Sequence, residues 1–586
     1  MHPCLAIPDI FRQICDVIRL RIIRTSHPQS DLASLARTCR TLSEIALDSL
    51  WYEIVGIGPL IRCMPRDLWE IDAEDQYQRS RPFLKRPLKY SDIHTLHKYT
   101  QRIRSFRPEY LTRGDSLVDA YRALSLASHD RLLPKLEQLA WHVDNAEIFP
   151  YIRFFFSPTL RVLDMTFDVH HSEQLGFLSA VPVLSPTIFK LKVALRDYTI
   201  SSLNDPLVEG FSDALRAWHN LSDLKLYRVP LDGLMCAAQL PKLKRLSIHP
   251  AKISKELLPD LPNPLWDPPS ASQLYYPALE SLTLSCIPSV AIAVQFFEVL
   301  QSARLLSIEL SFTAPSATLS HFHRFFSILA EHCSPSSLKV FQFTCRHPRF
   351  SFSDIVSPLL VFLELKEVRL RLASPMEFSE DQMTQVASSW PHLEVLEATG
   401  TAPVASQSHL QTTLACLVPL ADGCPGLREL HLWIDASDAA TRRALRADPG
   451  RTKEAQNWAL RRLDVQNSPI SHKEFVASFL SDIFPNLEDI TPKIYRLNKN
   501  VESRNIQRWQ HVAQVLLPML SRARMKDYKR LSVAIPQTEH RSPYDLDTSF
   551  KHSARWFAEK VEEEDGEWSD PEQLVVTLDR VMRGSQ

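Results

Sequence analysis

Leu243-Lys244-Arg245-Leu246-Ser247-Ile248 is one copy of a unit, L-x-x-L-x-[apolar], that recurs along most of this chain. The same pattern begins at Leu136, Leu160, Leu221, Leu279, Leu393, Leu427 and Leu460, and weaker copies begin at Ile188, Leu305, Leu338, Leu365 and Leu487. Successive copies lie about 22 to 36 residues apart, room for one short strand and one helix each. Segments with helical character, Val290 to Gln301, Leu319 to His332 and Asp381 to Ser389, fill the intervals. No single unit can bury its own leucines, but stacked units can. The expected fold class is therefore α/β, a stacked solenoid over 131–492 with strands on the concave face and helices outside. A doubly wound α/β domain is the alternative, disfavoured because thirteen like-spaced strands exceed what one open sheet usually holds. Prolines stand two residues ahead of many copies, at Pro134, Pro158, Pro186, Pro241, Pro277, Pro391, Pro425 and Pro485. An extended residue just before a strand tolerates their fixed φ.

Ahead of the repeats lies a segment of different character. Ile7-Pro8-Asp9-Ile10-Phe11 opens a helix, with Pro8 in the first turn and Asp9 near the positive end of the helix dipole. Apolar residues continue at Ile14, Cys15, Val17 and Ile18, and Thr25 to Ser30 interrupts them. Asp31 is the expected cap of a second helix carrying Leu32, Leu35, Ala36 and Cys39, and a third runs from Thr41 through Leu50-Trp51. Three helices this short cannot cover their own apolar surface, which calls for a partner.

Three sub-motifs occur here in order: Ile7-Pro8-Asp9-Ile10-Phe11, Leu32-x-x-Leu35-x-x-x-Cys39-Arg40 and Ala46-x-x-x-Leu50-Trp51. On these residues the segment resembles an F-box, and the repeats resemble the leucine-rich repeats commonly joined to one, without the asparagine ladder of the most regular type. A longer insert, Arg19 to Ser30, departs from the family pattern. The resemblance implies that the protein is a substrate receptor of an SCF-type cullin-RING ubiquitin ligase. It places adaptor binding, and through the adaptor the cullin, on Pro8, Ile10, Phe11, Leu32, Leu35, Cys39, Leu50 and Trp51. Ubiquitin transfer would be performed by other subunits, so the chain is expected to be no enzyme and to need no cofactor. A non-ligase interaction scaffold built on the same repeats is the alternative.

The expected organisation is an F-box over 1–52, a helical connector over 53–130, the repeats over 131–492, a capping segment over 493–545 and a polar, acidic tail over 546–586. The connector has expected helices from Ser91 to Arg102 and from Asp115 to Ala127, and Ile103-Arg104-Ser105-Phe106 reads as a degenerate first repeat. In the capping segment Ile506, Trp509, Val512, Ala513, Leu516 and Leu517 share one face of a helix from Asn500 to Arg524, while Glu559 to Asp570 is strongly acidic and broken by Trp568.

Composition excludes several function classes. Only 12 of 586 residues are glycine, about a third of the usual ~7%, and no phosphate-cradling loop or nucleophile elbow occurs. The 67 basic and 68 acidic side chains nearly balance, which removes the long-range field a nucleic-acid binder uses. Ten dispersed cysteines without C-x-x-C read as reduced thiols. The start Met1-His2-Pro3-Cys4 lacks secretory character and no long apolar run follows, so neither a membrane nor a secretory route is expected and the compartment is cytoplasm or nucleus. His332-Cys333 with Cys345-x-His347 is a poor zinc spacing, because adjacent residues chelate one ion badly. No metal site is expected there, nor at His94-x-x-His97 or His321-x-His323.

Within each repeat, period-two alternation points the residues between the leucines at the concave face. These are Lys190 and Lys192, Lys225 and Tyr227, Arg245 and His249, then Glu309, Glu367, Glu397, Glu429, His431 and Trp433. The basic group on three neighbouring strands suits an acidic or phosphorylated protein substrate, with Trp433 as an aromatic anchor.

Overall fold

Apolar residues at every second position, flanked by turn residues, form strands only if a neighbour satisfies their backbone groups; here each repeat does this for the next. A computed structural model describes residues 7–20, 28–72, 81–108, 117–127, 131–143, 147–168, 172–196, 199–200, 215–229, 237–250, 252–253, 275–300, 304–313, 318–346, 350–400, 412–437, 442, 445, 455–492 and 499–522. The acidic stretch Glu559 to Asp570 with the rest of 546–586, the capping residues 523–545, Asp115, His347, part of the Arg19 to Ser30 insert and Met1 to Cys4 lie outside the described residues.

The chain divides into two units, Met1–Leu279 and Glu280–Gln586. In the first, strands β1 (Glu53–Val55), β2 (Ser105–Arg107), β3 (Gln138–Trp141), β4 (Val162–Asp168), β5 (Lys190–Arg196), β6 (Asp223–Val229) and β7 (Arg245–Pro250) pair in parallel, each with the next. In the second, β8 (Ser281–Ile287), β9 (Ser307–Phe312), β10 (Val340–Cys345), β11 (Glu367–Leu372), β12 (Val395–Gly400), β13 (Glu429–Leu432), β14 (Arg462–Gln466) and β15 (Asp489–Pro492) do the same. Both are mixed α/β, with the strands of the parallel sheet in strict chain order; two small pairs in the first unit, Trp69–Asp72 with Arg81–Leu84 and Thr199–Ile200 with Lys252–Ile253, stand outside it. A doubly wound sheet reverses its order at a switch point, so the arrangement is the stacked, leucine-rich-repeat type.

Two devices recur and explain the pattern. First, one backbone carbonyl at the start of each strand accepts two successive N–H groups of the next repeat. Leu306 O takes Lys339 N at 2.8 Å and Val340 N at 3.0 Å, and Lys366 O takes Glu394 N at 2.7 Å and Val395 N at 3.0 Å. Second, the prolines do not sit at the strand start as the sequence suggested. Pro158 and Pro391 occupy the second position of tight turns closed by Leu160 N to Ser157 O (3.1 Å) and Leu393 N to Trp390 O (3.1 Å), where a φ near −65° is already set. Side chains finish the turns in place of an asparagine ladder: Ser185 Oγ donates to Ser157 O at 2.9 Å, Ser337 Oγ to Leu305 O at 2.9 Å and Asn457 Nδ2 to Cys424 O at 2.6 Å.

Within the expected connector over 53–130, β2 falls on the degenerate repeat read at Ile103 to Phe106, and β1 is a strand the sequence did not suggest, so the repeating sheet starts at Glu53, directly after the third N-terminal helix. The helix expected from Ser91 to Arg102 is two short ones, Tyr90–His94 and His97–Thr100, and the one from Asp115 is described as Leu117–Ala127. At the N-terminus, helices α1 (Pro8–Leu20), α2 (Pro28–Ala36) and α3 (Arg40–Leu50) pack around Phe11, Cys15, Leu32, Leu42 and Ala46. α2 begins three residues before Asp31 because Pro28 takes its first position, where a missing N–H costs nothing.

In the second unit phenylalanines fill the layer between strands and helices. Phe312 meets Phe343 at 5.6 Å between ring centroids and Phe322 at 5.6 Å, and Phe322, Phe325 and Phe326 all lie on the helix Leu319–His332. Gly400, at the end of β12, has no room for a side chain: a Cβ there would sit 2.2 Å from Pro375 N. Gly400→Ala is expected to cost about 1–3 kcal/mol by displacing the 374–375 backbone, measured as a lower urea midpoint at unchanged slope. Among the described residues no helix is long and apolar enough to cross a membrane.

Candidate functional site

Two surfaces of the first unit carry most of the residues assigned to binding, and Trp433 lies in the second unit. The first is α1. Its inner face is Phe11 and Cys15 with Ile18; its outer face exposes Ile7 (48%), Ile10 (36%), Ile14 (36%) and Val17 (59%). Spacings of three, four and three residues put these four on one stripe. Of the residues assigned to adaptor binding, Pro8, Ile10 and Cys39 are exposed and Leu35 and Leu50 pack partly against the three-helix core. Phe11 and Leu32, each 2% exposed, are that core, which corrects their placement on a contact surface. Ile7, Ile14 and Val17, exposed on the same stripe, were not among the residues so assigned. The signal was present in the adjacent pairs Ile10-Phe11, Ile14-Cys15 and Val17-Ile18, which span too wide an arc of a helix for one buried face.

Trp51 is half-buried, its ring 4.7 Å from that of Tyr99 between centroids. Arg102 pairs with both Glu44 and Asp48 of α3 and donates to Glu44 O at 3.2 Å, and the Arg19 guanidinium lies 4.1 Å from the Tyr52 ring centroid. Tyr52 O then accepts Arg104 N and Ser105 N, both at 2.9 Å, starting the carbonyl ladder. The helices are thus tied to the first repeats without a linker.

The second surface is the outward face of the sheet. Along β5 exposure alternates as expected, with Leu191, Val193 and Leu195 buried and Lys190 and Lys192 half-exposed. The register aligns Lys190 with Asp223 and Arg245, Lys192 with Lys225 and Ser247, and Ala194 with Tyr227 and His249. Sequence alone does not show that a buried aspartate, Asp223, and a half-buried one, Asp164, spend much of this basic charge. Asp223 accepts Arg245 Nε at 3.1 Å and lies 3.5 Å from Lys190 Nζ, and Asp164 lies 2.9 Å from Lys192 Nζ and 3.4 Å from His142 Nε2. Burial alone would raise the Asp164 carboxyl, but hydrogen bonds from His142 and Lys192 outweigh it and hold it below the usual carboxylate range. Lys225 has no ion pair among the described residues. The Tyr227 ring stands 6.2 Å from that of His249, nearly parallel, with Lys192 Nζ 5.4 Å from its centroid. Burial, and then the nearby Arg228, lower the His249 pKa, so near neutral pH it presents an uncharged ring.

The corresponding face of the second unit is closed on itself. Glu397, 6% exposed, accepts Arg371 Nε at 2.7 Å and Nη2 at 2.9 Å, with Arg369 Nη1 at 3.4 Å. Arg462 pairs with Glu429 at 3.0 Å and His431 with Asp464 at 3.4 Å. Trp433 is 6% exposed: β13 ends at Leu432, so alternation no longer holds there and the ring turns into the core. It is no anchor. Cys333 and Cys345 are buried as well, and burial pushes the Cys333 thiol up to about 12. His323 holds Asp354 at 2.6 Å, and His321 lies at the cap of its own helix beside Thr318. Among the described residues no group of three or more His, Cys, Asp or Glu side chains is arranged to hold a metal.

No family model matches the chain, and no curated protein matches it. Solved structures with some likeness include the yeast complex of Rad7 and Elc1, at 14% identity over 66% of this chain and 86% of that one with a TM-score of 0.36. The mouse RP105/MD-1 complex is similar at 16% identity over 70% of this chain and 60% of that one, with a TM-score of 0.34. Likenesses this remote carry no argument.

Proposed function

We propose that the chain is a substrate receptor of an SCF-type ubiquitin ligase. α1–α3 are its F-box, docking the adaptor subunit and through it the cullin, and the outward sheet face of the repeats holds a protein substrate. The observation that carries this is the stripe Ile7, Ile10, Ile14 and Val17, left open on a helix whose other face is already satisfied, inside a segment with the three F-box sub-motifs in order. An apolar stripe of this length on a surface helix is costly to leave in water and suits a helical partner. The receptor works by proximity: it raises the local concentration of substrate at a transfer site on another subunit, supplies no catalytic group and binds no cofactor. Its place is then the cytoplasm or nucleus.

A pull-down with purified adaptor tests this directly. Ile10→Glu with Ile14→Glu is expected to weaken capture by about 2 kcal/mol or more while leaving thermal unfolding in place, since both side chains are already solvent-facing. Wild-type chain that captures no adaptor would leave an interaction scaffold as the better description. Equal capture by both proteins would move the docking surface off α1.

A further inference from the structure

The sheet face of the first unit is not evenly charged. Lys190 and Arg245 share Asp223, whose side chain is only 4% exposed, so both are committed to the fold. One step along the strands, Lys192 is divided between Asp164 and the Tyr227 ring, and Lys225 beside it has no ion pair among the described residues. A further step along, Ala194 is the register partner of Tyr227. Ala194 puts only a methyl group beside the ring, so the β5 side of Tyr227 is met by Lys192 Nζ at 5.4 Å, while His249 lies along the ring on the β7 side. Cation and aromatic surface therefore meet at one place, a few ångströms apart across adjacent strands. Among the described residues of the second unit's face, Arg369, Arg371 and Arg462 are all taken by glutamates.

We propose that Lys192, Lys225, Tyr227 and His249 form the substrate-contacting site of the receptor, and that it takes an acidic peptide segment in which a glutamate or aspartate stands next to an aromatic residue. This rests on the receptor reading above and names its substrate chemistry. The carboxylate lies between the two ammonium groups, where charge-assisted hydrogen bonds form, and the aromatic side chain stacks on the Tyr227–His249 pair. A carboxylate fits better than a phosphate: one unpaired lysine and one shared lysine neutralise a single negative charge, and a dianion would also meet Asp164 and Asp223. The neutral His249 ring adds stacking surface without adding charge.

Fluorescence anisotropy of the full chain with a dye-labelled Gly-Ser-Glu-Trp-Glu-Ser-Gly peptide tests the assignment. Saturable binding is expected, weakened about tenfold or more by Lys225→Ala, by Tyr227→Ala and by replacing both peptide glutamates with glutamine, and left in place by Lys190→Ala. All three protein positions face outward, Arg245 still pairs with Asp223 in Lys190→Ala, and folding of each variant is checked by thermal unfolding. Absence of saturable binding, equal affinity for the glutamine peptide, or undiminished affinity in both the Lys225 and Tyr227 variants overturns the site. Tighter binding of a phosphoserine counterpart overturns the choice of carboxylate. Adaptor capture is measured on the same proteins. Lost peptide binding with intact capture refutes only this site, whereas intact peptide binding with no capture refutes only the receptor reading.

Discussion

Replacing Arg371 with leucine is expected to lower the unfolding free energy by about 3 kcal/mol at pH 7 and to reverse the direction in which stability changes with pH. Glu397 is buried, and its bidentate pair with Arg371 is what makes its charge tolerable; the other contacts, Thr399 Oγ1 at 3.2 Å and Arg369 Nη1 at 3.4 Å, are longer. Burial pushes the Glu397 carboxyl up, and the hydrogen bonds from Arg371 more than compensate, so its pKa in the folded protein lies below the ordinary value. A depressed carboxylate contributes stability that is fully present above its unfolded pKa of about 4.3 and is lost as pH falls through the folded value. In the wild type, then, this group destabilises the fold only on acidification below about pH 4.3. Without Arg371, burial dominates and the folded pKa rises above the unfolded one. The variant then loses stability as pH rises from about 4.3 towards 7, because the folded state must expel or bury a charge. Urea unfolding at several pH values distinguishes the two slopes. If wild type and variant run parallel, the pair does not carry the linkage.

The second large effect is at the C-terminal end of the repeats. Trp509→Ala is expected to cost about 3–5 kcal/mol and to loosen β15 before the strands ahead of it. The helix Lys499–His511 continues through a π-turn at Val512–Leu516 and lays Trp509, 1% exposed, against the last repeats. Its Nε1 donates to Ser468 O at 2.9 Å, and Arg508 Nη1 donates to Ile470 O at 2.9 Å. Alanine removes a large buried ring and leaves a buried carbonyl without its partner. In a stacked-repeat protein each unit is stabilised by its neighbours, so loss of a cap is felt first next to it. Hydrogen exchange checks this: the amide of Ile490 should exchange faster in the variant by a larger factor than that of Leu396. Uniform acceleration at both would mean that Trp509 stabilises the whole unit and does not act as a local cap.

The repeats were legible because their leucines recur at fixed offsets and bury whatever surrounds them. β2 was legible only as a degenerate repeat at Ile103 to Phe106 and β1 not at all, because Ser105-Phe106-Arg107 and Glu53-Ile54-Val55 have one buried apolar residue each and leave no period to detect. The site was half legible. Alternation placed Lys190, Lys192, Lys225 and Tyr227 on the outward face correctly. It could not reveal that Asp164 and Asp223 stand beside two of those lysines, since register between strands about 30 residues apart is set by the intervening turns and helices. The same blindness turned Glu397 from an apparent surface residue into a buried one. Trp433 failed for a different reason: period two applies within a strand, and β13 had already ended.

The carbonyl ladder has a consequence for how the chain could be edited. Lys339 N and Val340 N close onto Leu306 O in the same way that Lys366 N and Glu367 N close onto Lys339 O. Each joint is interchangeable with the next, so removing the stretch from one joint to its successor presents the following repeat with an equivalent acceptor. A cut of any other length would leave two amides facing the wrong atoms. The length of the repeat array is thus quantised in whole repeats, and its sheet can be shortened or extended only in steps of one strand spacing.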